Sequence, residues 1–173
     1  MSNQEQILEG GCSCGAVRYR LLMSPLIVHA CHCKNCQRQT GAWHAVNALI
    51  EAHEVELVRG KLIQAELPTP SGAGQTVSRC SDCGITLWSN YHMLSRGHGD
   101  IVRFIRVGTL DEPHRLPPDV HIFDGDRNTS APIPAGAPRF ETFYDLQEIW
   151  QPDSLQRLFA LFDPEIPSKQ AIA

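Results

Sequence analysis

Cys31-His32-Cys33-Lys34-Asn35-Cys36 places three cysteines within six residues, flanked upstream by Cys12-Ser13-Cys14 and downstream by Cys80-Ser81-Asp82-Cys83. These clusters contain all seven cysteines of the chain. Cysteines two or three residues apart are poor disulfide partners for one another, because a disulfide demands narrow geometry. As thiolates they suit a soft ion held tetrahedrally, and zinc is the commonest occupant of such sites. The chain therefore reads as a scaffold that gathers sulfur ligands around metal.

The segments that carry the clusters read as strands. Val17, Tyr19 and Leu21 alternate with Arg18 and Arg20, the period of a half-buried strand. Cys12 and Cys14 precede it and, in an extended backbone, face one side. Residues 26–30 form a second strand that runs into the central cluster, and residues 34–40, closed by Gly41, read as a short turn or single helical turn returning Cys36 toward the metal. Residues 43–51, 55–58 and 62–65 are again strand-like, with a tight turn at Arg59-Gly60-Lys61. Residues 68–74 are the clearest loop. The Cys80-x-x-Cys83-Gly84 run between two strand-like arms resembles a zinc knuckle, Gly84 supplying the positive φ such turns need. Residues 101–107 alternate and are rich in branched side chains, a strong strand signal. A last short strand is read at 120–123, followed by a Pro-, Gly- and Ser-rich excursion over 124–138.

The tail carries Leu155, Leu158, Phe159 and Phe162 on one face of a helix near 153–162, with Asp153 or Ser154 as N-cap and Pro164 beyond its end. That stripe requires an apolar surface, either its own domain or a partner in a homodimer. The organisation expected is a zinc-binding domain over 8–141 and a C-terminal extension over 142–173.

Composition bounds the function. The 173 residues are 42% hydrophobic and 20% charged, ordinary for one globular domain. A net charge of −4 favours neither nucleic acid nor an anionic membrane as partner. The first residues lack the basic and apolar regions of a signal peptide, no apolar run approaches a membrane span, and an odd cysteine count fits a disulfide framework badly. A reducing cytoplasm is the compartment expected.

Four thiolates close a tetrahedral structural site, whereas three leave one position open, so seven cysteines fit one site of each kind. Of the divisions open, the favoured one puts Cys12, Cys14, Cys80 and Cys83 on structural zinc, stapling two distant arms. Cys31, Cys33 and Cys36 then make a second, labile zinc site. His32 faces the other side of the strand from Cys31 and Cys33 and is unsuited as its fourth ligand. Water, His44 or an exogenous thiol can take that position.

The motif series is specific. Gly11-Cys12-x-Cys14-Gly15-x-Val17, Cys31-His32-Cys33-x-x-Cys36-Gln37-Arg38-x-x-Gly41, Cys80-x-x-Cys83-Gly84 and Val107-Gly108-Thr109-Leu110-Asp111-Glu112-Pro113, with His121 following, resemble the glutathione-dependent formaldehyde-activating enzymes, a family that includes centromere protein V. The resemblance runs from about Gly10 to His121. It implies a mainly β fold, the zinc-bound β-tent of antiparallel sheets, here with a short C-terminal helix. It implies the same division of cysteines, with Cys31, Cys33 and Cys36 on catalytic zinc. It also implies carbon–sulfur lyase chemistry on a glutathione adduct of formaldehyde. Arg79 stands where family members often have an aromatic residue.

The leading expectation is thus a zinc-dependent lyase acting on adducts of a small aldehyde with glutathione or a related thiol. The alternative is a non-catalytic, zinc-stabilised β-tent binding module. His32 is the candidate proton shuttle, and Lys34 and Arg38 are the candidate contacts for glutathione carboxylates. His44 and His121 read as packing or hydrogen-bonding residues, Trp43 and Trp88 as core or pocket-wall aromatics.

Overall fold

The computed structural model describes residues 7–95 and 98–162. The chain is mainly β, with ten strands in two sheets and a few short helices. Strands β1 (Leu8–Gly11), β2 (Arg18–Leu21) and β5 (Val55–Arg59) form an antiparallel sheet in the order β1-β2-β5. In chain order, the second sheet uses β3 (Ile27–Cys31), β4 (Ala45–Glu51), β6 (Leu62–Leu67), β7 (Gln75–Cys80), β8 (Thr86–Tyr91), β9 (Val102–Arg106) and β10 (Val120–Ile122). Across the sheet they stand β10-β3-β4-β9-β8-β7-β6. Every pair is antiparallel except β10 with β3, which is parallel. The long return from β9 to β10 through 107–119 permits that, since parallel neighbours need a crossover.

The turn at Arg59-Gly60-Lys61 does not join partners. β5 pairs with β2, and β6 pairs with β7 around the 68–74 loop, so the chain changes sheets at Gly60. Gly60 has φ +96°, and a Cβ there would meet the Ala16 carbonyl oxygen at 2.5 Å and Val17 Cα at 2.8 Å. Close passage of two backbone segments, invisible to a local pattern, decides this turn.

Alternation along the strands of the large sheet separates two apolar clusters onto its two faces. One contains Ala48, Ile50, Leu87, Trp88 and Ile105, packed with Val17, Tyr19 and Leu21 of the small sheet. The other contains Ile27, Cys31, Leu49, Val102, Val120 and Ile122. The tail covers this second face: Tyr144, Trp150 and Leu158 are buried members of the same cluster.

Among the described residues, four α-helices punctuate the chain. α1 (Lys34–Thr40) follows β3, α2 (His92–Ser95) is one turn after β8, and α3 (Leu146–Ile149) and α4 (Pro152–Ala160) lie in the tail. α4 begins with Gln151 as N-cap and Pro152 in its first turn, two or three residues before the expected N-cap at Asp153 or Ser154. Proline is pre-organised for that first position, where its missing N–H is no loss. Pro164 lies outside the described residues. Leu158 is buried, and Leu155 and Phe162 pack against the cluster with Leu161, but Phe159 is 53% exposed. The inward face is centred on Ser154 and Leu158, which turns Phe159 out of the expected stripe.

Two anchors fasten the tail. Arg157 forks onto Glu51, Nε to Oε1 at 2.7 Å and Nη2 to Oε2 at 2.6 Å, and also donates to the Ser24 carbonyl at 3.1 Å. Trp150 Nε1 donates to the Tyr144 hydroxyl at 2.8 Å, and that hydroxyl lies 2.6 Å from His29 Nε2. Among the described residues, no helix is long and apolar enough to cross a membrane.

Candidate metal centres

Cys12 and Cys14 sit on a turn and not on the extended backbone expected of them. The Gly15 N–H donates to the Cys12 carbonyl at 3.1 Å, with Gly15 at φ +75°. The Cys80–Cys83 turn repeats this: the Gly84 N–H donates to the Cys80 carbonyl at 3.0 Å, with Gly84 at φ +73°. Each turn is closed by the strand arms around it, Cys12 N–H to the Val17 carbonyl at 3.2 Å and Cys80 N–H to the Ile85 carbonyl at 3.0 Å. Backbone N–H groups also point at sulfur, Val17 to Cys12 Sγ at 3.2 Å and Asp82 to Cys80 Sγ at 3.4 Å.

The two turns bring four sulfur atoms within 4.8 Å of one another. Cys12 Sγ and Cys14 Sγ are 3.4 Å apart, and Cys14 Sγ and Cys80 Sγ are 3.8 Å apart. A tetrahedral zinc with bonds of about 2.3 Å spaces its sulfurs by about 3.8 Å, so the set fits that ion. Cys12 and Cys80 are buried, while Cys14 and Cys83 are exposed. Burial works against ionisation of Cys12, but the Val17 N–H and the neighbouring thiols bring it down to about 6. Cys14 accepts from the Ala16 N–H, yet Cys12 and Cys83 push it up to about 12. Crowded thiols share protons in this way because they cannot all ionise without a cation between them.

The central cluster is built where β3 ends and α1 begins. Cys33 is the N-cap of α1, its Sγ accepting the Cys36 N–H at 3.3 Å, and Gly41 ends the helix at φ +66°. The return of Cys36 is thus a seven-residue helix, longer than the single turn expected. The sulfurs of Cys31, Cys33 and Cys36 all lie within 4.8 Å of one another, Cys31 buried and the other two half-buried. Cys31 and Cys36, with the Cys36 and Asn35 N–H groups, hold the Cys33 thiol far below its ordinary value. Cys33 and Cys36, together with burial, push Cys31 far up. Among the described residues no histidine or carboxylate joins the group. Three soft donors with one position left over suit zinc in an open site.

Residues 7–126 match the profile of the family described as glutathione-dependent formaldehyde-activating enzyme. The chain belongs to that family. A protein of Halomonas elongata, provisionally named a glutathione-dependent formaldehyde-activating enzyme, is 33% identical over 88 residues, which are 47% of this chain and 55% of that protein. The chain thus spans about 55% of the length of this curated relative. A crystal structure of a Rhodobacter sphaeroides protein is also similar, with 23% identity and a TM-score of 0.42 over 60% of this chain and 87% of the other.

The other expected site residues of this family member scatter. His32 is fully buried and turned to His121, its Nε2 3.0 Å from His121 Nδ1, with the His44 ring centred 4.8 Å away. It stands apart from the three-sulfur group, and so does His44. Burial pushes His32 down to about 4, and the Nδ1 atoms of His32 and His44 are buried without a hydrogen-bond partner. Lys34 is exposed, with its Nζ donating to the Asp126 carbonyl at 2.7 Å. Arg38 is exposed on α1. Trp88 is buried as expected, but Trp43 is 49% exposed beside the α1 terminus.

Sequence reasoning missed Arg106. It is 9% exposed, and donates to Asn47 Oδ1 and, at 3.0 Å, to Gln39 Oε1 of α1. Its sequence signal was one of two arginines, Arg103 and Arg106, in an otherwise apolar run, and no local pattern tells which face of the sheet each arginine meets.

Proposed function

We propose that this chain is a zinc-dependent carbon–sulfur lyase that joins glutathione, or a related thiol, to formaldehyde or another small aldehyde and splits the adduct again. Family membership supports the substrate class, and the three-cysteine cluster, with no fourth donor among the described residues, carries the reading. In this assignment Cys12, Cys14, Cys80 and Cys83 hold a structural zinc, and Cys31, Cys33 and Cys36 hold a second, labile one.

In the forward direction the thiol loses its proton and its sulfur attacks the carbonyl carbon. The carbon–oxygen π pair moves to oxygen, which takes up a proton to give the hemithioacetal, and the reverse reaction expels the aldehyde with no oxidation or reduction. Zinc, when bound, supplies stabilisation of the thiolate form of an incoming thiol. Cys31, Cys33 and Cys36 would orient the open position, because β3 and the capped start of α1 fix their three sulfurs. Arg38 and Lys34, both exposed on α1, would meet the glutathione carboxylates in this reading. His32 faces His121, on the far side of the strand from the sulfurs, and in this reading would pass a proton within that pair.

Cobalt-substituted protein tests the reading. Glutathione is expected to alter the thiolate-to-metal charge-transfer spectrum, and Cys33→Ser to abolish that response while the fold persists. Formaldehyde added next should yield S-hydroxymethylglutathione faster than in buffer, as followed by NMR exchange. A spectrum unchanged by millimolar glutathione and other small thiols would overturn the lyase reading in favour of a binding module.

A further inference from the structure

We infer that Arg106 is the buried counter-cation of the three-cysteine cluster and makes its open position selective for an anionic fourth ligand, a thiolate over a neutral donor. The inference deepens the lyase reading and rests on it for the identity of that ligand.

Placement comes first. Registers His29↔Asn47 and Asn47↔Arg106 align these residues across β3, β4 and β9, and Cys31 lies two residues beyond His29 on the same face. Gln39, which accepts from Arg106, belongs to α1, the helix that carries Cys36. The guanidinium is therefore tied by one partner to β4 and by the other to the ligand helix.

Charge comes second. A guanidinium only 9% exposed needs a counter-charge, because burial of an unpaired cation is strongly unfavourable. Its two hydrogen-bond partners among the described residues, Asn47 and Gln39, are neutral amides. Among the described residues no carboxylate forms an ion pair with it. Burial pushes the Arg106 guanidinium down from its ordinary value, and the thiolates of Cys36, Cys31 and Cys33 push it back up. Three thiolates around a divalent ion leave one net negative charge, and a thiolate in the fourth position makes it two. Arg106 offsets that added charge, whereas water or imidazole would bring none to offset. Arginine suits the role because it stays charged when buried and its planar fork is fixed by two acceptors.

The test uses cobalt-loaded protein and four probes: chelator competition without thiol, glutathione, 2-mercaptoethanol and imidazole. Arg106→Met is expected to weaken glutathione uptake about tenfold or more, as loss of a buried counter-charge should, and to leave imidazole uptake unchanged. It should also release cobalt faster from the three-cysteine cluster alone. Arg106→Lys should keep most of the thiol preference. Asn47→Asp covers the case in which Arg106→Met fails to fold, because it keeps the shape while adding a carboxylate that takes up the guanidinium charge; it should weaken glutathione uptake too. 2-Mercaptoethanol separates the two readings: a parent protein that takes up 2-mercaptoethanol but not glutathione sinks the glutathione assignment and leaves Arg106 its role. If Arg106→Met or Asn47→Asp matches the parent in thiol uptake and in thiol-free cobalt release, the inference is wrong.

Discussion

The four-cysteine cluster places two of its sulfurs at the surface on a pair of glycine-closed turns, whereas the three-cysteine cluster is set into an apolar face beside a buried guanidinium. The difference is one of charge and solvent. Four thiolates about a divalent ion are more negative than three, but exposed Cys14 and Cys83 let water screen them. At the three-cysteine cluster water is scarcer, and the chain supplies a cation of its own. The first cluster joins segments far apart in sequence and is suited to hold the fold together. The second sits on a single strand–helix junction and so adds little by way of cross-linking.

The largest expected effect breaks this comparison directly. Cys83→Ser should lower stability by several kcal/mol, because structural zinc binding is coupled to folding, whereas Cys33→Ser should leave the melting temperature close to that of the parent. Calorimetry on both variants decides it, and equal losses would mean that the clusters do not divide the structural and open roles.

A smaller effect concerns the cover over the three-cysteine face. Arg157→Ala leaves Glu51, 4% exposed, without its partner, and breaking such a buried pair costs about 3–5 kcal/mol. Denaturant unfolding should show a lowered midpoint, and cobalt should exchange faster from the three-cysteine cluster but not from the other. An unchanged midpoint would show that the tail is not anchored there.

The smallest effect lies on the small-sheet side. Arg18 pairs with Asp111 at the surface, and the Arg18 hydrogen bond holds the Asp111 carboxyl below its ordinary value. A depressed carboxylate contributes stability above its unfolded-state value, and loses it as pH falls through the folded one. Asp111→Asn should therefore lower stability at pH 7 by about 0.2–1 kcal/mol, the range for exposed pairs, and by nothing at the acid end. Parallel stability–pH curves for parent and variant would contradict this.

Much of the site was legible because its signals are local. Cysteines at i and i+2 or i+3 announce clustered ligands without knowledge of the fold, and Gly84 announces its positive φ, whereas the turn at Cys12 and Cys14 was expected as extended backbone. The Val17, Tyr19 and Leu21 alternation likewise carries its own period, and all three are fully buried. The tail was legible as a helix but not as a cover, since periodicity shows that a face needs burial and not what buries it.

The sequence by itself determined which residues can ligate metal, that the chain is mainly β, and the family to which it belongs, because spacing and alternation act over a few residues. Only the tertiary structure decided that the chain changes sheets at Gly60, that Tyr144, Trp150 and Leu158 close over the face of Cys31, and that Arg106 is buried on that face, paired with no carboxylate among the described residues. Each of these depends on which distant segments pair, and burial and charge compensation arise only once that pairing has removed water from between them.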